Sequence, residues 1–289
     1  MTTTEVTVTG LLHRWLERQL APPAIHWLDD KCAEVLRHPG DRTVFLAISL
    51  VPRKLGKDDL LLDEADLATA SEARAGWTPV GWSVDQAARL LLLLSADGPE
   101  NEFAQRLEQL CTTADVGELV TFYRGLPLYP GAARYVRRAA EGVRSNMKAV
   151  FEAVAHHNPY PAEQFDEDAW NQMVLKALFI GSPLQSIIGL DERANPKLMR
   201  MLCDYAHERW AAGRAVSPEL WRCVGPFADD AAVNDLKRVL DTGTPAEREA
   251  AVLALSACSH ANAARLLASV PELSARAKSG ALTWNAVLG

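Results

Sequence analysis

The sequence predicts an all-α fold, a multi-helical array with a HEAT-like C-terminal repeat region. Helix-start signals recur along the chain, glycines close several helical runs, and strand-like alternation is almost missing. Ser83 opens a capping box with Gln86 ahead of Ala87-Ala88-Arg89-Leu90, and Thr244-Pro245-Ala246-Glu247 is a second, with proline at the first helical position. Asn195-Pro196 and Ser217-Pro218 read as N-cap plus proline pairs, and Asp166 as a further N-cap. Gly181 after Leu175–Ile180 and Gly213 after Tyr205–Ala212 suit the left-handed position that ends a helix.

The first region, residues 1–130, starts Met1-Thr2-Thr3-Thr4-Glu5, with no basic stretch and no apolar run of signal-peptide length. Val6-Thr7-Val8-Thr9 alternates but is too short to decide. Thr43–Val51 is rich in β-branched residues, yet no second strand pattern stands nearby to pair with it, so a helix is expected. The longest purely apolar run, Leu90 to Leu94, falls far short of the roughly 20 residues a membrane span needs. Cys32, Cys111, Cys203, Cys223 and Cys258 are odd in number and contain no Cys-x-x-Cys pair. Free thiols in a reducing cytoplasm are the expectation.

The central region, residues 131–225, carries the longest periodic stretch. Val136, Ala140, Val143, Met147, Val150 and Val154 keep helical spacing from Ala132 to His157. One helix of about 39 Å is predicted there. Arg134, Arg137, Arg138, Arg144 and Lys148 give it a mostly basic side. The third region, residues 226–289, is rich in alanine and leucine and reads as short stacked helices. The three regions are expected to form one continuous α domain.

The 289 residues are 48% hydrophobic and 23% charged, enough for a substantial core. A net charge of −7 argues against nucleic acid or an anionic membrane surface as a partner. No phosphate loop, dinucleotide fingerprint or serine elbow occurs. His207-Glu208 begins like a zinc-protease helix, but Ala211 stands where the second histidine belongs. A metal site from His157, Asp166 and His207 competes with ordinary hydrogen bonding of those side chains, and the latter is expected. Asp29-Asp30, Asp58-Asp59, Asp229-Asp230 and the cluster Glu163, Asp166, Glu167, Asp168 read as solvated faces or helix starts. No cofactor, metal or catalytic residue is predicted.

Residues 141–222 are richer in large polar and aromatic side chains than their flanks. Asn158 before Pro159 should be extended, and two prolines stiffen the loop around Tyr160. Arg144, Asn146, His157, Asn158 and Tyr160 are candidate ligand-binding residues there. Asn171, Gln172 and Lys176 lie on one predicted helix among Met173, Leu175, Ala177 and Phe179, so their polar groups must find partners. They either hold a polar ligand or join a structural network with Arg144, Asn146 or Glu152. Asp204, His207, Arg214 and Arg222 complete the candidate set. The two arginines clamp a carboxylate or phosphate, or pair with Asp204 or Glu208. Tyr205, Trp210 and Trp221 are expected in the core.

At these residues the chain resembles the EboA family. The likeness runs through Arg138–Lys148, Phe151–Pro161, Trp170–Phe179, Asp204–Trp210 and Trp221–Phe227, and is strongest over residues 120–230. Proteins of that family accompany a bacterial gene set with a UbiA-type prenyltransferase, a sugar-phosphate cyclase and hydrolases. The set is linked to making or exporting small secondary metabolites. The resemblance transfers no catalytic residue. It implies a non-catalytic helical binding or scaffold protein for metabolite synthesis or traffic, with companion proteins of that gene cluster or a polar metabolite as partner. The competing reading is an enzyme acting on a cyclitol-like or phosphorylated metabolite, which needs His157, Lys176, Asp204 and His207 within hydrogen-bond reach.

Overall fold

A computed structural model describes residues 7–96 and 98–288. The Met1–Glu5 segment weighed above as a signal lies outside them. The described residues form eighteen α-helices with short 3₁₀ turns, and contain no strand beyond one bridge between Asp59 and Ser83. The fold is all-α, as the sequence predicts. No helix among the described residues is long and apolar enough to cross a membrane. The chain divides into two compact units, residues 1–165 and 166–289.

The first unit contains α1 (Val8–Gln19), α2 (Pro22–Arg37), α3 (Asp41–Leu55), α4 (Glu64–Ala73), α5 (Val84–Leu94), α6 (Glu100–Thr113), α7 (Val116–Arg124), α8 (Val136–Arg144), α9 (Lys148–Ala155) and α10 (Tyr160–Gln164). Its centre is α5, which packs against α1, α2, α3 and α7. Leu90, Leu91, Leu92 and Leu93 are all buried, so the C-terminal half of α5 is covered on every side. The Ser83–Gln86 capping box starts it as the sequence predicts.

Thr43–Val51 lies inside α3, whose buried residues Val44, Ala47, Ile48, Val51 and Leu55 keep helical spacing. Packing of that stripe outweighs the strand preference of its β-branched residues.

The single 39 Å helix is a misreading. The stretch begins with a 3₁₀ turn at Ala132–Tyr135, and α8 and α9 are separate helices packed on one another. Ser145 has extended backbone, and its hydroxyl accepts the Met147 amide at 3.1 Å. That local bond gives the backbone an alternative to the next helical turn. The apolar spacing survives the break because both helices turn the same kind of face inward. Gly142 allows the close approach: a Cβ there would sit 2.7 Å from Val154 and 2.8 Å from Tyr123.

The second unit contains α11 (Glu167–Phe179), α12 (Pro196–Ala211), α13 (Leu220–Val224), α14 (Asp230–Thr242), α15 (Pro245–Ser256), α16 (Ala261–Ala268), α17 (Pro271–Lys278) and α18 (Trp284–Leu288). Helix α15 packs against α13, α14, α16, α17 and α18. Thr244 caps it through the predicted capping box, and Asn195 and Asp166 cap α12 and α11. Gly181 and Gly213 both adopt φ +64°. In each, the next amide bonds back to the helix, Ser182 to Ala177 and Arg214 to Arg209, both at 2.8 Å. Ser217, by contrast, caps nothing: a turn intervenes, and α13 begins at Leu220.

The five cysteines are free. Burial pushes the thiols of Cys111, Cys203 and Cys223 up to about 12.

Alanines on α15 set how closely this unit packs. Ala250, Ala251 and Ala254 are buried, and Gly225 approaches the α15 backbone so closely that a Cβ would meet the Ala254 carbonyl oxygen at 2.4 Å. Backbone cannot rotate aside as a side chain can. Gly225→Ala is therefore expected to destabilise the protein by about 1–3 kcal/mol, read as a lowered denaturant midpoint. An unchanged midpoint would mean that α13 and α15 separate freely.

Candidate functional site

A cleft of about 180 Å³, lined by both polar and apolar residues, opens in the first unit. Ala149, Glu152 and Ala153 form one wall at the i, i+3, i+4 spacing of a single face of α9, and His156, the residue that ends the helix, extends it. Val120 and Arg124, one turn apart, face it from α7. Val80 and Trp82, from the turn ahead of α5, also line it, with His157 and Asn158 just beyond α9.

Arg124 is the last residue of α7, where the helix dipole favours a cation. Its Nη1 donates to the Gly81 carbonyl at 2.8 Å and to Gln86 Oε1 at 2.6 Å. Gln86 Oε1 is also the atom that accepts the Ser83 amide in the capping box. One side chain thus starts α5 and orients the arginine. The remaining N–H groups of Arg124, on Nε and Nη2, have no protein acceptor among the described residues. Desolvation lowers the Arg124 pKa from its ordinary value.

The loop after α9 is held rigidly. Asn158 is 2% exposed, and its Nδ2 donates to the carbonyls of Tyr123 and Ala153, both at 3.1 Å. Its Oδ1 accepts the Tyr160 amide at 3.0 Å, an Asx turn. Tyr160 is buried, and its hydroxyl donates to the Ala132 carbonyl at 2.6 Å. Just before these anchors His157 has φ +51°, the one non-glycine residue at positive φ among the described residues. A left-handed histidine costs energy that surrounding structure must hold in place. Partial desolvation and, second, the Arg124 cation lower the His157 pKa.

The sequence candidates therefore divide by role. His157 and Asn158 line the cleft, whereas Tyr160 and the amide of Asn158 spend their polar groups on backbone. Arg144 and Asn146 are exposed at the α8–α9 break.

In the second unit, Asn171 is fully buried and exchanges two amide bonds with Asn195, at 2.8 and 3.2 Å. Asn195 Oδ1 also caps α12 through the Leu198 amide. Within the second unit, this pair is a structural network. Gln172 is exposed, which corrects the expectation that little of this helix is freely solvated. Desolvation lowers the pKa of Lys176. Asp204 is exposed on α12, and His207 Nε2 sits 2.8 Å from Asp235 on α14. Arg222 grips Asp191 through Nε and Nη2, both at 2.7 Å, so its carboxylate is internal and is neither Asp204 nor Glu208. Arg214 is exposed beside a second cleft of about 340 Å³ with Trp210, Arg238 and Glu247. Arg238 lies 4.2 Å over the Trp210 ring; Trp221 is buried as expected, whereas Tyr205 and Trp210 are only half-buried.

Sequence reasoning missed Arg124, Trp82 and His156 as cleft residues and weighed Glu152 only as a network partner. The face spacing of residues 149, 152 and 153 was a readable signal. Arg124 offered none, because its role depends on Gly81 and Gln86 reached through tertiary packing.

The fold and this site define a class: an all-helical protein with a small, rigidly framed cleft. The family model described as "Metabolite traffic protein EboA" matches residues 8–225, and the chain belongs to the EboA family. No curated protein and no solved structure matches it.

Two outcomes test the cleft's frame. Asn158→Ala leaves two carbonyls and an amide without their buried partner, so a loss of about 1–3 kcal/mol in denaturant stability is expected. His157 binds its proton less readily folded than unfolded. Its contribution to stability is whole above about pH 6.5, the unfolded value, and falls away as pH drops from there through the lower folded value. In NMR the His157 ring should titrate below about 6.5; titration above that value contradicts the placement of Arg124 beside it.

Proposed function

We propose that this EboA-family protein is a non-catalytic helical binding protein that serves the synthesis or traffic of a small secondary metabolite. In this reading it works in the cytoplasm with companion proteins of its gene cluster. The observation that carries the reading is the cleft between α7 and α9, where Arg124 keeps donors unspent beside an imidazole held at φ +51°. Strain maintained by several anchoring bonds beside a cavity is the usual mark of a site kept ready for a ligand. The family description, which names metabolite traffic, supports the same reading.

His157 and Arg124 are proposed as ligand contacts, with Asn158 and Tyr160 as the residues that position the loop. Among the second-unit candidates, Arg214 is proposed as a contact in the Trp210 cleft. Helices α14–α18 are proposed as a HEAT-like surface for a companion protein.

Native mass spectrometry of the full chain purified from its own host tests the proposal. A small molecule retained by the wild type and lost on mild activation is expected. If the sample instead converts that molecule into a product on incubation, the enzyme reading replaces this one.

A further inference from the structure

The charge, shape and size of the α7–α9 cleft narrow its ligand class. Arginine carries five N–H donors in a planar fork, and the Nε–Nη2 edge matches the two oxygens of a carboxylate or phosphate. In Arg124 the opposite corner, Nη1, is tied to Gly81 and Gln86 at 2.8 and 2.6 Å, which fixes the plane of the guanidinium. The free edge is then the Nε–Nη2 edge. Arg222 in the same protein does with that edge what is argued for Arg124: it holds Asp191 bidentately, at 2.7 Å on both sides.

Several other arginines of the first unit already face a carboxylate. Arg18 meets Asp66, Arg74 meets Glu163, Arg106 meets Asp41 and Arg138 meets Glu108 and Glu141. Arg124 has no such carboxylate among the described residues, although it is half-buried. Glu152 lines the same cleft, but Lys148 stands 3.7 Å from it, so its charge does not act alone on an incoming anion. The Trp210 cleft of the second unit differs, because Arg238 already stacks on its aromatic wall.

Size narrows the class further. A cavity of about 150 Å³ accepts benzene, and this cleft measures about 180 Å³. Val80, 44% exposed, supplies apolar surface for a ring, with the buried Trp82 beneath it.

We propose, resting on the metabolite-binding reading above, that the cleft takes a single-ring organic acid. Its carboxylate or phosphate is held bidentately by Arg124, its ring lies against Val80, and His157 supplies a further hydrogen bond to the acid group.

Calorimetric titration of the full chain with benzoate, phenyl phosphate, inorganic phosphate and benzyl alcohol tests this. Benzoate or phenyl phosphate should bind at least tenfold more tightly than benzyl alcohol and than inorganic phosphate. Arg124→Gln should weaken the acid at least tenfold. Where that variant does not fold, Arg124→Lys keeps the charge and loses the fork, and the same tenfold loss is expected. His157→Gly suits the left-handed backbone, so it should keep or raise Tm while binding weakens severalfold. Equal binding of benzyl alcohol and benzoate, or of inorganic and phenyl phosphate, overturns the proposal, as does unchanged affinity in Arg124→Lys. A neutral metabolite retained from the host and unaffected by Arg124→Lys overturns the acid assignment but leaves the binding function standing. No retained molecule together with no probe binding overturns both.

Discussion

Helix α5 fixes α7 at both of its ends. Near the start of α7, Glu118 Oε1 lies 3.6 Å from Arg89, which is 3% exposed and also bonded to Asp85 at 2.6 Å. At the other end, Arg124 meets Gln86. The two contacts run in opposite directions along the two helices, so they hold α7 in register against sliding and rotation. Helix α9 packs on α7 in turn, so the same two contacts hold the wall of the cleft that carries Val120 and Arg124. A buried charge stripped of its partner is costly, which makes the Asp85–Arg89–Glu118 group intolerant of partial replacement.

Much of the fold was legible because its signals are local. Capping boxes at Ser83 and Thr244, N-caps at Asp166 and Asn195, and left-handed glycines at 181 and 213 each depend on a few adjacent residues, and each appears where expected. The errors share a cause of the opposite kind. The spacing from Val136 to Val154 is helical throughout, but periodicity reports only which side faces inward, and two helices folded on each other keep it as well as one long helix. Ser145 was the local clue that the run breaks. Ser217-Pro218 has the composition of a cap, yet its carbonyl serves the turn that precedes α13.

The site was less legible than the fold. Polar side chains in an apolar helix rightly pointed to buried partners, as Asn171 and Asn195 bear out, but burial alone does not tell a ligand from a neighbour. Arg222 and His207 found carboxylates, Asp191 and Asp235, that lie 31 and 28 residues away. His157 and Asn158 were identified from an unusual loop composition, and that loop does line the cleft. Arg124 escaped notice because a terminal arginine on a short helix is ordinary in sequence. Its distinction arises only when Gln86, fixed by its role in a helix cap, reaches it.

The central claim is that the guanidinium of Arg124 receives an acid group in a preformed cleft. The most direct measurement is the Arg124 Nε–H resonance in nitrogen-edited NMR while phenyl phosphate is added to the full chain. The account predicts a saturable downfield shift of that signal, as an N–H bonded to an anionic oxygen gives. A signal that stays in place while the ligand binds elsewhere would contradict it.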